Sequence, residues 1–165
     1  MKKVLSISLI LIIVLLLTGC GKEKDEVDLN KTKDITFYDL SFKIPEVFTR
    51  DEKNSDEDII FFDYDSDTES CMVSLSHSEY AEDDLKKAVE EGLFKEEGRT
   101  IEFFEKTVNG VTWSAGKYVR SQKTTHYYYV TNHNNESYDL GIDDFGSTGS
   151  CEKAKNIIVN SLKFN

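Results

Sequence analysis

After residue 34 the chain is a succession of short apolar and aromatic runs separated by polar turns, a pattern typical of β-strands. Pro45 ends one run, because proline cannot donate a hydrogen bond within a sheet. Asn109-Gly110 lies between two runs and favours a two-residue type I′ hairpin turn. The pattern predicts an antiparallel, meandering sheet with strands at 35–37, 41–44, 59–64, 72–76, 100–108, 111–121, 124–131 and 137–142.

Two segments have helical spacing instead. In 82–97, the apolar residues Leu85, Ala88, Val89 and Leu93 fall on one face, and Gly98 is placed to end the helix. In 147–160, the inward positions are Cys151, Ala154, Ile157 and Ile158. Strands, helix, long strands and helix, in that order, predict an α+β fold with helices packed on an antiparallel sheet.

The N-terminus has the features of an export signal. Lys2 and Lys3 precede an apolar run over 4–17, which is shorter than the roughly 18 to 20 residues of a membrane-spanning helix. The next residues, through Cys20, resemble the bacterial lipobox, whose cysteine receives diacylglycerol. We therefore expect 1–19 to be a cleaved signal peptide and Cys20 to be the lipidated first residue. A signal cut elsewhere and a permanent transmembrane helix are the weaker alternatives.

Composition divides the remaining chain into a tether and a domain. Residues 20–34 are rich in charge and lack periodicity, which predicts a lipid-anchored flexible tether, and 35–165 form a single domain. Without 1–19 the 146-residue chain carries 18 basic and 31 acidic residues. This negative charge repels nucleic acid and anionic headgroups, so we expect no nucleic-acid partner and a weak preference for cationic partners.

Cys71 and Cys151 remain after the lipobox cysteine is set aside. Outside the cytoplasm they can form a disulfide, which would close a loop of about 80 residues and stabilise the fold by ~4 kcal/mol. Two buried free thiols fit the sequence equally well.

Catalytic and metal-binding motifs are weak in this sequence. Its three histidines are scattered, and no nucleophile elbow is present. Asp63, Asp65 and Asp67 begin like an EF-hand loop, but Thr68 and Ser74 occupy the places that require glycine and glutamate. A weak calcium-binding turn is the most these aspartates indicate. We predict a protein that is not an enzyme and has no cofactor.

The run Tyr127-Tyr128-Tyr129 lies within a predicted strand. Alternation places Tyr127 and Tyr129 on one face of the sheet, and Tyr128 on the other with His126 and Val130. His126 and Tyr128 are thus candidates for a ligand-binding face. Burial of these residues under a helix is the alternative that we favour.

Three features together resemble the Mog1/PsbP-like fold family. They are the segment FYDLSFKIP at 37–45, the Asn109-Gly110 hairpin, and the terminal helix followed by SLKF at 161–164. The resemblance implies an α/β/α sandwich. Members of the family bind a small GTPase, support photosystem II or serve as bacterial surface lipoproteins, so it also implies a non-enzymatic binding or scaffolding module.

The leading hypothesis is a monomeric lipoprotein on the extracytoplasmic face of the cell membrane, with a diacylglyceryl anchor and an envelope protein as partner. A small hydrolase or metal-dependent enzyme acting on envelope material is one alternative. A solute-capturing lipoprotein is another, although such proteins normally have a longer, two-lobed chain. The composition, rich in Lys, Asp, Glu, Asn and Ile and poor in proline, suits a low-GC Gram-positive bacterium.

Overall fold

The computed structural model describes residues 28–67, 69–93, 100–121, 124–146 and 149–165. The predicted signal peptide, Cys20, Thr68 and Gly98 lie outside the described residues, as does most of the predicted tether. Across the described ranges, no helix is both long and apolar enough to cross a membrane.

The described chain contains ten strands and two helices. The strands are β1 (Thr32–Phe37), β2 (Leu40–Pro45), β3 (Thr49–Arg50), β4 (Ile59–Asp65), β5 (Ser70–Ser78), β6 (Glu102–Val108), β7 (Val111–Ser121), β8 (Thr124–His133), β9 (Glu136–Asp144) and β10 (Lys163–Phe164). The helices are α1 (Leu85–Gly92) and α2 (Ser150–Ser161).

The strands form two antiparallel sheets rather than one meander. The central sheet has seven strands in the order β3-β4-β5-β9-β8-β7-β6, so β5 pairs with β4 and β9 but not with β6, the next strand in sequence. The small sheet has the order β1-β2-β10, because Lys163 and Phe164 at the end of the chain pair with Ser41 and Leu40. The first hairpin therefore belongs to a separate layer.

The two helices cover opposite faces of the central sheet. On one face, α2 and the small sheet enclose the main core, which includes Trp113, Tyr129 and Leu140. On the other face, α1 covers a second core of Val89, Leu93, Ile101, Tyr118 and Val130. The prediction of an α+β sandwich, with helices packed on an antiparallel sheet, is confirmed.

Both helices begin later than the sequence pattern predicts. The Asp84 side chain accepts hydrogen bonds from the backbone N–H groups of Lys86 and Lys87, so α1 begins at Leu85. Gly149 precedes α2 with φ 81°, a left-handed conformation that helical residues do not adopt. The helix therefore begins at Ser150. Its buried side includes Val159, whereas Ile157, expected to point inward, is only half-buried.

Two short turns fix the register of the hairpins. Asn109 and Gly110 have φ 49° and 85°, and Val108 pairs with Val111, which confirms the predicted two-residue turn. The turn between β1 and β2 is Tyr38-Asp39, because Phe37 pairs with Leu40. Tyr38 has φ 51°, a conformation uncommon for a residue with a side chain.

The first strand starts before Ile35. Thr32 pairs with Pro45 at the start of β1, and Leu29 is buried. The backbone N–H of Glu46 also donates a hydrogen bond to the carbonyl of Lys31, which ties the entering chain to the end of β2.

Candidate binding cleft on the central sheet

Within the described residues, α1 covers only one half of the α1 face of the central sheet. Helix α1 packs on β7 and β8, and the strands beyond them, β9, β5 and β4, carry half-buried side chains on this face. A cleft of about 440 Å³ lies here, beside the C-terminal end of α1. Its main walls and floor are formed by Ile59, Phe61, Met72, Ser74, Tyr128 and Gly141.

Strand register explains the shape of the cleft. Phe61 pairs with Ser74, Ser74 with Gly141, and Gly141 with Tyr128, so these four residues form one row across four strands. We call them the aromatic row. Three strand spacings of about 4.8 Å separate the backbones of its two aromatic members by about 14 Å. The Tyr128 ring lies over Gly141, and the space above Ser74, between this ring and Phe61, forms a slot.

The apolar wall of the cleft is not part of either core. Ile59, Phe61 and Met72 are half-buried and line the cleft. None of the three belongs to the main core, to the second core, or to the apolar side chains packed against them in the described chain. The exposed part of their apolar surface is therefore not covered by either core of the described residues.

A second row, beside the first, carries the charged groups. Asp63, Met72, Asp143, His126 and Tyr118 are paired across β4, β5, β9, β8 and β7, and we call them the acidic row. The Nδ1 atom of His126 is hydrogen-bonded to Oδ1 of Asp143, and the Tyr118 ring stacks on the imidazole with centroids 5.2 Å apart. The other ring nitrogen, Nε2, is buried and has no hydrogen-bond partner among the described residues.

The burial of Nε2 bears on what His126 can do chemically. A general base needs a ring nitrogen within hydrogen-bond reach of the substrate proton. One nitrogen of His126 is occupied by Asp143, and the other is shielded from solvent. The pair therefore braces β8 against β9 at the end of the cleft, and its geometry is unsuited to proton transfer.

Asp139 lies beneath the edge of the cleft, next to Tyr128 and Ser76. The Ser76 hydroxyl donates to Oδ2 of Asp139 over 3.5 Å, and the Tyr128 hydroxyl also bonds this carboxylate. Burial raises the pKa of Asp139 to about 6, although both hydrogen bonds lower it, and the nearby Glu82 raises it further. Burial likewise raises the pKa of Tyr128.

The tyrosine run divides between the two faces as alternation predicts. Tyr129 is buried in the main core, and Tyr127, packed against that core, donates a hydrogen bond to Glu152 of α2 over 3.0 Å. Tyr128 lies on the opposite face, against α1 and at the cleft. Tyr128 is therefore half-buried against a helix, and a ligand-binding role for His126 and Tyr128 stays a prediction.

The remaining candidate residues lie away from the cleft floor. Cys71 and Cys151 are joined by a disulfide with a Cα–Cα distance of 5.6 Å, which links β5 to the first turn of α2. Asp63, Asp65 and Asp67 are not brought together as ligands, since no cluster of three or more His, Cys, Asp or Glu in the described residues is placed to hold a metal ion.

Sequence reasoning found His126 and Tyr128 but missed Phe61, Met72, Ser74, Gly141 and Asp139. Alternation along β4 and β5 does place Phe61, Met72 and Ser74 at the half-buried positions of their strands, opposite the buried core positions. What it cannot supply is the pairing of β5 with β9, which brings that face beside Tyr128.

Comparison of the coordinates with solved structures identifies the architecture. The Ran-binding protein Mog1p of Saccharomyces cerevisiae superposes with a TM-score of 0.53 and 15% identity, over 78% of this chain and 85% of that one. The PsbP protein of the cyanobacterium Synechocystis superposes with a TM-score of 0.55 and 12% identity, over 90% and 99% of the two chains. The chain has the Mog1/PsbP-like fold.

The Mog1/PsbP-like neighbours establish shape alone, because the sequences share so few residues. No protein-family model matches this sequence, and no curated protein matches it significantly. The chemistry of the cleft in this Mog1/PsbP-like domain therefore follows from its own residues alone.

Proposed function

We propose that this protein is a non-enzymatic binding module, held on the extracytoplasmic face of the cell membrane by a diacylglyceryl group on Cys20. The cleft is its binding surface, and an envelope protein is its partner. In this proposal 1–19 are the signal peptide, 20–34 contain the tether, and the domain that follows acts as a monomer.

The observation that carries this proposal is the unsatisfied apolar surface of the cleft. Ile59, Phe61 and Met72 lie on an open sheet face and join neither core. Ligand sites are typically concave, largely apolar and of 300 to 1,000 Å³, with a few polar groups that fix orientation. A cleft of about 440 Å³ bordered by Asp143 and Ser74 has that composition.

Two further observations support a binding role over a catalytic one. The His126–Asp143 pair has its second ring nitrogen buried, so it offers no base to a substrate in the cleft. A similarly folded protein, Mog1p, is a Ran-binding protein, so this fold can serve protein recognition.

Site-directed crosslinking in the native membrane tests the proposal. The photoreactive residue p-benzoylphenylalanine replaces Phe61 in one variant and Phe103 in a control. Phe103 is 36% exposed on the same sheet but lies beyond α1 and outside the cleft. We expect light-dependent attachment to a specific envelope protein from position 61 and not from 103.

A cleft-filling substitution provides the second arm. Ser74→Trp, combined with the photoreactive residue at 61, should abolish the adduct, because the indole occupies the slot of the aromatic row. Identical adducts from positions 61 and 103, or no adduct from 61, would contradict the assignment of the cleft as the binding surface.

A further inference from the structure

Building on the proposed binding role, we infer that the cleft receives a basic side chain, lysine or arginine, that lies next to an apolar residue in a segment of the partner protein. The aromatic row and the acidic row together select this chemistry. The two rows run side by side across β4, β5, β9 and β8.

The aromatic row suits a long basic side chain. The Tyr128 ring lies over Gly141, and Phe61 lies on the other side of Ser74, so the small Ser74 side chain separates the two rings. Lysine and arginine have apolar stems that pack along such walls, and their cationic ends are attracted to aromatic faces. A carboxylate-bearing side chain would gain neither interaction.

The acidic row supplies the opposite charge at one end of this slot. Asp63 follows Phe61 by two residues on β4 and pairs with Met72, which in turn pairs with Asp143. The Asp63 carboxylate makes no hydrogen bond or ion pair with a described residue. Burial raises its pKa, and the neighbouring carboxylates of Asp51 and Asp65 raise it further. This unneutralised negative potential favours a cationic ligand.

The basic groups of the cleft lie at its other end. Arg120 and His126 line the part formed by β7 and β8, where His126 is bonded to Asp143. At the part formed by β4 and β5, Asp63 lies just outside the lining of the cleft, next to Phe61 on the same face of β4 and paired with Met72, both of which line it. A basic side chain entering over β4 therefore meets carboxylate before it meets positive charge.

The volume indicates a protein segment and not a small amine. A cleft of about 440 Å³ is larger than one basic side chain needs, and Ile59 and Met72 provide a further apolar wall. An apolar residue adjacent to the basic one would cover that wall. The overall charge of the protein also favours a basic partner segment, because 31 acidic residues outnumber 18 basic ones once 1–19 are removed.

Selection from a random peptide library tests this inference. The probe is a library of ten-residue peptides displayed on phage, and the bait is the lipidated full mature chain in phosphatidylcholine nanodiscs. Peptides are counter-selected against Ser74→Trp, and against Phe61→Ser in case the tryptophan variant fails to fold. We expect the cleft-dependent peptides to share a lysine or arginine beside an apolar residue.

Charge is then tested directly with the selected peptides. Replacing the basic residue by a neutral isostere, such as citrulline for arginine, should weaken binding about five- to thirtyfold. Asp63→Asn should weaken binding of the basic peptide and leave the neutral one unchanged. Glu105→Gln removes an exposed carboxylate on β6, outside the cleft, and should alter neither affinity.

Two results would overturn the inference and are distinct from each other. Cleft-dependent peptides without a basic residue, or with an acidic one, would refute the charge selection and leave the binding role intact. Peptides that bind the parent and both cleft variants equally would remove the binding role as well.

Discussion

Two glycine residues let other parts of the chain lie directly on the backbone of the α1 face of the central sheet. A Cβ atom on Gly116 would lie 2.7 Å from Cγ1 of Val89 and 2.9 Å from Cγ2 of Ile101, so the bare backbone there lets α1 pack directly on β7. A Cβ atom on Gly141 would lie 2.5 Å from the hydroxyl of Ser74. At Gly116 the space is filled by α1, whereas at Gly141 it is filled by Ser74 and by the Tyr128 ring, whose Cδ2 atom would lie 3.6 Å from the added Cβ.

Asp139 makes stability depend on pH at the residue scale. Its pKa is raised to about 6 in the fold, so the folded state binds more protons than the unfolded state between about pH 4 and 6. The contribution of this residue is therefore most favourable below that range, and stability falls as the pH rises through it. At pH 7 the buried charge costs up to about 3 kcal/mol.

We predict that Asp139→Asn stabilises the protein at pH 7 by about 1 to 3 kcal/mol and has little effect at pH 4. An amide oxygen still accepts the hydrogen bonds from Ser76 and Tyr128, while the buried charge is removed. Urea unfolding at several pH values measures the difference between variant and parent. Other carboxyl groups also make stability depend on pH, since the pKa values of Asp63 and Asp144 are raised and those of Glu136 and Glu152 are lowered. These groups are the same in variant and parent, so the difference between the two proteins reports on Asp139.

Asp83→Asn, which changes an exposed carboxylate, serves as the control for this prediction. Its unfolding curves should track those of the parent at every pH. If Asp139→Asn instead destabilised the protein at pH 7, the carboxylate would be a net favourable interaction, and the assigned cause of the raised pKa would be wrong.

At the scale of elements, α2 is held at its N-terminus by a distant residue. The buried carboxylate of Glu69 accepts hydrogen bonds from the backbone N–H groups of Ser150 over 2.9 Å and Cys151 over 3.1 Å. Gly149 offers no side chain to do so. The disulfide between Cys71 and Cys151 joins the same two segments, so the start of α2 is attached to β5 in two ways.

We predict that Glu69→Ala costs about 2 kcal/mol of unfolding free energy, because a part-buried and a buried N–H group lose their acceptor. Asp84→Ala provides a matched comparison, since it removes the equivalent cap from the exposed start of α1, where water can replace it, at about 1 kcal/mol. Urea unfolding of both variants, with the disulfide intact, gives the ranking. Equal costs would show that burial of the α2 cap does not add to its strength.

Elements were predictable from sequence where their cause is local. The helical face of Leu85, Val89 and Leu93 and the turn at Asn109-Gly110 follow from residues a few positions apart. The start of α2 was not predictable, because its capping residue Glu69 is 81 positions from Ser150. The pairing of β10 with β2 joins the two ends of the domain and leaves no local signal.

For the whole molecule, the sequence predicted the sandwich and one side of the cleft. Alternation in β8 placed His126 and Tyr128 together on one face. The opposite wall, with Phe61 and Met72, depends on β9 inserting between β5 and β8. Strand order of this kind is set by packing of the entire core and is not encoded in the period of any single strand.

Membrane attachment is the prediction that concerns the whole molecule. Cys20→Ala should release the protein from membranes, because no thiol remains to receive diacylglycerol. Fractionation of cells that produce the parent or the variant, followed by immunoblotting, measures the change. Ser8→Ala alters the apolar run without touching the cysteine and should leave the protein membrane-bound. A Cys20→Ala protein that stayed in the membrane fraction would indicate that the apolar segment itself is the anchor.

The burial of Leu29 limits the distance between the folded domain, with its cleft, and a lipid anchor. With Cys20 as that anchor, only nine residues of chain separate the bilayer from the folded domain, a reach of at most about 30 Å even when fully extended. The domain and a partner in the same membrane would then be confined to a thin layer next to the bilayer. For such short tethers the effective concentration of one protein around the other is in the millimolar range. An interaction of only micromolar strength in a test tube would be nearly saturated at the cell surface.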